Sequence, residues 1–322
     1  ASDLARANVS FETVAEFLWT GQWLDELQCW RVEPTPRAVV DLFAASAKLN
    51  DDPHLLHMLS LVAEWLGILE GPRTERVRMG GTPEFSARRL IRAMTGGFGL
   101  LTPARTMIPI ADDDSIASGL ARVLGADPAI APILNAALVM LADHELNPAT
   151  FAARIAASGG ADIHSCIGSA LDVHYGSLVG RGCDRVEQLF AGTSEPAAVI
   201  ARVHTMHDAA RKLPGFNHPL YPQGDPRARF LIALAREHAR DKRLMRNMSD
   251  ALARIESEFA AHPGVETGLV FLARALGLPS RTAGGIFALG RSAGWIAHVL
   301  EQRLAGFVIR PRAKYVGSFA TN

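Results

Sequence analysis

The chain has 322 residues, 48% of them hydrophobic and 20% charged, an ordinary globular mixture that excludes a disordered tail protein and, at about 150 residues per domain, leaves room for two domains. Lys and Arg total 33 and Asp and Glu total 33, a formal net charge of zero, so the basic excess of a nucleic-acid binder is missing and no nucleic-acid partner is expected. The most apolar run, 136–142, is far short of the ~20 residues of a membrane span, so no membrane association is expected.

Helix formers dominate and alternating runs of Val, Ile and Thr are scarce, so the chain reads as all-α. Residues 1–8 carry charge and no apolar core, and no signal peptide is expected. Cys29, Cys166 and Cys183 are odd in number and lack CxxC spacing, which points away from a disulfide framework or zinc site and towards a reducing, cytoplasmic setting. Pro34 and Pro36 break the N-terminal region. His54/His57 and His204/His207 are spaced to share a helix face. Without HExxH or a carboxylate at ligand spacing they read as surface histidines, and no metal is expected. Arg88, Arg89 and Arg92, and Arg240, Lys242 and Arg243, read as solvated helix faces. Gly96-Gly97-Phe98-Gly99 is too short for a dinucleotide fingerprint and follows no strand, so it reads as a turn.

Residues 131–145 are apolar nearly all round, which predicts a helix buried on most sides. It ends in Asp143-His144-Glu145, three polar residues that need partners there. Asn147 and Pro148 suit the cap and first turn of the next helix, and Gly159-Gly160 its end. Residues 213–227 (LPGFNHPLYPQGDPR) hold four prolines and two glycines. They predict a loop, and one of that length is commonly functional. Pro263-Gly264 and Leu278-Pro279 mark further breaks. Over 291–304 a helix is predicted to open at 290, with Trp295, Ile296, Val299, Leu300 and Leu304 on its apolar face and Glu301, Gln302 and Arg303 opposite. Residues 290–294 match GxSxG, but a nucleophile elbow needs a strand before the serine and a sheet beneath it. No strand–helix alternation is present, so these small residues are assigned to close helix packing.

Polar groups gather at the breaks in this apolar framework: His144, His218, Asp225, Arg227, Arg291, Arg310 and Arg312. Arginine pairs carboxylates bidentately, so the set suits a small dicarboxylate. Scattered salt bridges are the alternative.

At these residues the sequence resembles the citrate synthase family, including 2-methylcitrate synthases. The resemblance rests on LADHELN at 141–147 with TFAAR at 150–154, PGFNH at 214–218 with GDPRA at 224–228, FALGRSAGWIAH at 287–298, and RPRAKYVG at 310–317. Weaker similarity lies in SFETVA at 10–15 and LWTG at 18–21, whereas residues 25–125 match poorly. The family usually carries a further N-terminal segment, so the start is expected to be trimmed.

The resemblance implies an all-helical, two-domain fold: a large domain over 1–178 and 278–322, a small domain over 179–277, and an active site in the cleft between them. It implies a homodimer that condenses an acyl-CoA with oxaloacetate, the acyl-CoA being a substrate and no cofactor being needed. His144, His218, Arg227 and Arg291 match oxaloacetate-binding positions, and Arg310 matches the arginine that reaches the neighbouring subunit's site. His218 and Glu266 match catalytic positions.

Two departures fall on the acyl-CoA side. The family's enolate-stabilising histidine lies in a Pro-Leu-His-Gly-Gly context. Residues 176–182 read GSLVGRG, which puts Val179 there, without a hydrogen-bond donor. The family's base lies in Pro-Asn-Val-Asp, where this chain has Pro263-Gly264-Val265-Glu266, a carboxylate one methylene longer. Asn217 replaces the usual glycine and Pro219 a commonly basic residue. His174, five residues before Val179, is expected on a different helix face and reads as an ordinary polar residue. Two functions follow: an acyltransferase altered at Val179 and Glu266, or a weak or inactive member that binds oxaloacetate, citrate or a CoA ester as a sensor or as the partner subunit of an active paralogue in a hetero-oligomer.

Overall fold

Local chemistry sets most helix starts. Ser10, Thr82, Ser115, Asn147, Asp162, Asp225 and Asp241 each accept a backbone N–H two or three residues on, which satisfies the orphan donors of a helix N-terminus. The structure is a computed structural model that describes residues 1–25, 29–71, 82–176, 180–192, 195–314 and 316–317. Its α-helices are α1 (Ser2–Arg6), α2 (Phe11–Thr20), α3 (Arg37–Ser46), α4 (Leu55–Glu70), α5 (Pro83–Gly97), α6 (Ile116–Val123), α7 (Ala131–Leu141), α8 (Pro148–Ser158), α9 (Ile163–Tyr175), α10 (Gly182–Leu189), α11 (Pro196–Asp208), α12 (Pro226–Glu237), α13 (Lys242–Phe259), α14 (Val265–Ala275) and α15 (Thr282–Ala305). Among the described residues the one β-type pairing is an isolated bridge between Phe216 and Pro263, so the fold is all-α.

Helix α15 organises the core. Its 24 residues span about 36 Å at 1.5 Å per residue. It packs against α2, α4, α5, α7, α8 and α9, and also against α10 and α14. Small residues permit this. A methyl group at Gly290 would lie 2.8 Å from Leu141 Cβ and 3.1 Å from Leu138 O, and one at Gly285 2.6 Å from Leu55 Cδ2. The GxSxG residues therefore do serve helix packing, and Ser292 is buried with its hydroxyl donated to Leu289 O (2.6 Å). A second group of helices packs α12 on α14, α11 on α13 and α10 on α14.

Several expectations are corrected. Helix α15 opens at Thr282, not at 290, because close packing offsets the ~1 kcal/mol propensity cost of each internal glycine. Leu304 lies off the apolar face and is 89% exposed. Gln302 is buried, accepting from Arg154 Nε (3.1 Å) and donating to Phe307 O (3.2 Å), since α8 covers that side of α15. Gly96-Gly97 end α5, which runs directly into a 3₁₀ helix at Phe98–Leu101 rather than a turn. The α5 arginines are not solvated. Arg92 is buried and donates to Ala111 O (2.6 Å) and Asp114 O (3.1 Å), Arg88 pairs with Glu16, and Arg89 with Glu70. His54 is no surface histidine either: it caps α4 and its Nε2 lies 2.9 Å from Asp184 of α10. By contrast, Arg240, Lys242 and Arg243 are exposed. No helix among the described residues is long and apolar enough to cross a membrane.

Candidate active site

The proline-rich loop precedes α12, and backbone hydrogen bonds hold it to the segment before α14. Gly264 N donates to Gly215 O (2.7 Å), Asn217 N to His262 O (2.8 Å) and Asp225 N to Pro263 O (3.2 Å). Asn217 sits at φ 55°, a left-handed conformation that Asn tolerates better than most residues in place of Gly. Its side-chain oxygen accepts the His262 N–H (2.8 Å), so the same residue ties the two segments twice. His218 follows directly. Leu220 N–H donates to His218 Nδ1 (3.2 Å), which leaves the proton of the neutral ring on Nε2.

The loop ends where Asp225 caps α12, and Arg227 stands in that helix's first turn. Asp225 is fully buried and takes Arg227 in a fork, with Nε at 3.0 Å from Oδ1 and Nη2 at 2.6 Å from Oδ2. Such a pair fixes the guanidinium plane. Tyr221 ties this loop to the end of α7, its hydroxyl lying 2.8 Å from His144 Nε2. The rings of His144 and His218 meet edge to face at 5.6 Å. Burial, joined by the Arg227 charge, pushes the His144 imidazole below its ordinary pKa, so it stays neutral beside the cations.

Arg291 rises from α15 and is 1% exposed. Its Nη2 donates to Glu145 O and Thr150 Oγ1, both at 2.8 Å, and its Nη1 pairs with Asp143. The partners demanded by the polar end of α7 are therefore present: Asp143 uses Arg291 and His298, His144 uses Tyr221, and Glu145 uses its backbone carbonyl at φ 57°. Burial opposes the charge on Asp143, but the His298 and Arg291 contacts outweigh it and hold the carboxyl well below the usual range. Gly294 makes room for this cluster, since a methyl there would collide with Arg291 Nη1 and Ala142 O and lie 2.6 Å from Asp143 Oδ1. Arg291 Nε is buried without a protein partner.

Glu266 occupies the first turn of α14, where the helix N-terminus favours a carboxylate. Its side chain lies against two glycines. Methyl groups at Gly182 and Gly264 would come within 3.0 Å of Glu266 Cγ and 3.1 Å of Oε2, so the longer side chain is housed where small residues leave space.

These groups converge. His144, His218, Arg227, Arg291 and Glu266 line one cavity of about 120 Å³, room for several waters or a small acid. Arg310 is exposed on the segment after α15 and does not line it. Val179 lies outside the described residues. Among the described residues no group of three or more His, Cys, Asp or Glu is placed to hold a metal.

His174 corrects the sequence-based expectation. It ends α9 and lines the same cavity at 4% exposure. Its ring stacks on Phe287 (centroids 4.8 Å apart, planes at 15°) and meets the Trp295 edge at 5.7 Å. Burial, helped by the Arg291 charge, pushes its pKa down to about 4, and Nε2 has no partner. An unsatisfied buried donor or acceptor costs about 1–3 kcal/mol. The sequence signal was the glycine spacing: Gly176 caps α9 and its carbonyl accepts Gly180 N–H (3.1 Å), and a methyl at Gly180 would lie 2.7 Å from His174 Cγ.

The family described as "Citrate synthase, C-terminal domain" matches residues 1–312. The chain is 28% identical over 335 residues to "Citrate synthase 2" of Bacillus subtilis, covering 96% of this chain and 87% of that one. It is 30% identical over 217 residues to the "2-methylcitrate synthase" of Shewanella oneidensis, covering 64% and 56%. The structure superimposes on a ternary complex of citrate synthase from Thermoplasma acidophilum with carboxymethyl coenzyme A and oxaloacetate, with a TM-score of 0.84 at 21% identity, over 99% of this chain and 89% of that one.

Proposed function

Because the chain belongs to the citrate synthase family, we propose that it is an acyltransferase that condenses acetyl-CoA or propionyl-CoA with oxaloacetate to a tricarboxylate. One observation carries this: a carboxylate, three imidazoles and two guanidiniums share a single cavity. Glu266 takes a proton from the acyl α-carbon. His218, with its proton on Nε2, donates to the oxaloacetate carbonyl oxygen as the new carbon–carbon bond forms. Arg227 and Arg291 hold the carboxylates, and His144 adds a hydrogen bond. Relatives bearing both names, citrate synthase and 2-methylcitrate synthase, support keeping both acyl groups. We place this cavity between a large domain (1–178 and 278–322) and a small one (179–277), in a cytoplasmic homodimer where Arg310 of each chain serves its neighbour's site.

A second reading is favoured by the valine at 179, whose side chain offers no donor to an enolate; losing one such donor typically costs about 10²–10³ in rate. On that reading the chain binds oxaloacetate, citrate or a CoA ester as a sensor or as a partner subunit. One experiment separates the two. CoA release is followed with a thiol reagent after mixing the protein with oxaloacetate and acetyl-CoA or propionyl-CoA, against an enzyme-only blank for its three cysteines. Oxaloacetate-dependent release is the expected result, and the preferred acyl-CoA names the product. No release, with oxaloacetate still raising the melting temperature, identifies a binding protein.

A further inference from the structure

Groups that position a substrate must be held to well under 1 Å, since a misplacement of about that size costs roughly 10²-fold in rate. In this cavity Arg227 is fixed by Asp225, and Arg291 by Asp143 and Thr150. His144 stands beyond the end of α7, where no helix holds it. It leans on Tyr221, whose hydroxyl lies 2.8 Å from its Nε2.

Tyr221 is itself placed by local chain chemistry. It is the shared corner of two successive turns, with Tyr221 N donating to His218 O and Gly224 N donating to Tyr221 O, both at 2.9 Å. Pro219 and Pro222 each stand second in their turn, the position that the fixed proline φ suits. The departure at Pro219 therefore builds the first turn. From this corner the Tyr221 ring packs against three site groups. Its centroid lies 5.6 Å from that of His144 and 5.3 Å from that of His218. The Arg227 guanidinium sits 6.0 Å from it. The His144 and His218 rings are themselves 5.6 Å apart, so the three rings close a triangle. Tyr221 does not line the cavity and acts through these neighbours. A phenylalanine would serve the ring packing, and the hydroxyl adds the bond from the loop to His144.

We infer that Tyr221 is a positioning residue of the dicarboxylate site. Its hydroxyl holds the His144 ring in the orientation that serves oxaloacetate. The two turns and the contacts with His218 and Arg227 hold the hydroxyl. This deepens the oxaloacetate reading above and rests on it, but it does not rest on turnover. On the domain division proposed above, the bond crosses the cleft, from the large domain at His144 to the small one at Tyr221.

The test measures the Kd of oxaloacetate by titration calorimetry for wild type, Tyr221→Phe, His144→Ala and the double variant. Tyr221→Phe keeps the ring and removes only the hydroxyl. Loss of one such hydrogen bond shifts an equilibrium about 3–10-fold, and Kd is expected to rise by that factor. In the His144→Ala background the same substitution is expected to change Kd by less than about 1.5-fold, because contacting residues that act as a unit are not additive. A merely structural tyrosine gives another pattern: a lower ligand-free melting temperature, with the same fold-change in Kd in both backgrounds or none in either. That pattern overturns the proposal, as does a His144→Ala chain with the wild-type Kd. Should His144→Ala fail to melt cooperatively, His144→Phe, which keeps a ring without its nitrogens, takes its place. A wild-type chain that binds oxaloacetate without releasing CoA overturns the condensation reading, while the Kd pattern still decides this proposal. A wild-type chain that binds no oxaloacetate overturns both.

Discussion

Two buried side chains show how burial dominates charge in this protein, with opposite consequences. His174 is held at about 4 against an ordinary 6.5, by burial and then by the Arg291 charge. Glu12 is pushed up to about 7 against an ordinary 4.5 by burial, although its Oε1 accepts the Ile116 N–H at 2.7 Å. The unfolded chain protonates His174 below about pH 6.5, and the folded chain does so only near 4. Its contribution is therefore complete above 6.5 and lost as pH falls from 6.5 to 4, at no more than about 1.4 kcal/mol per pH unit. Glu12 behaves in reverse: its contribution is complete below 4.5 and lost as pH rises from 4.5 to 7. Denaturant titrations at several pH values are expected to show His174→Leu gaining on wild type as pH falls through 6.5–4. Glu12→Gln is expected to gain as pH rises through 4.5–7. A stability difference that stays constant with pH for either variant removes that residue from the account.

Among the helices, the crossing of α15 over α7 decides whether the cavity exists. Leu141 ends α7 and lines the cavity, and Arg291 follows Gly290 on α15. A methyl at 290 would stand 2.8 Å from Leu141 Cβ, so Gly290→Ala must push the helices apart. Overpacking of this kind costs about 1–3 kcal/mol. Thermal melts are expected to show a clear fall in Tm for Gly290→Ala together with a smaller oxaloacetate-induced shift. Gly159→Ala is the control: its φ is −79° and a methyl there meets Ala156 O at 3.5 Å and Ile155 O at 3.8 Å, ordinary contacts. Equal melting temperatures for the two variants refute the tight crossing.

Across the molecule, the cavity gathers three histidines, two arginines and a glutamate from the ends of α7, α9, α12 and α14, the middle of α15 and the loop before α12. Arg310 stands apart on an exposed segment with Phe307 and Val308, which are 60% and 64% exposed. If Arg310 acts in its neighbour's site, two inactive variants must complement. Glu266→Gln chains mixed with Arg310→Ala chains give mixed dimers with one fully wild-type site, so random mixing restores roughly a quarter of the wild-type rate. Complementation is expected in the CoA-release assay after co-refolding. Its absence, with mixed dimers demonstrated, removes Arg310 from the neighbour's site.

Several helix ends are legible in the sequence, because caps, prolines and paired glycines act on neighbours a few residues away: Asn147 on Thr150, and Gly159-Gly160 at the end of α8. Its ordered motifs also named five of the six charged or imidazole groups that line the cavity. Tertiary structure decided which polar residues are buried and what they face, since those partners lie far away in the chain. Arg291 meets Asp143 across 148 positions and His54 meets Asp184 across 130. The same holds for His174. From spacing it is one more polar residue on a helix, and only the packing of Phe287, Trp295 and Gly180 around it makes it a buried imidazole beside the cavity, its Nε2 sealed off without a partner.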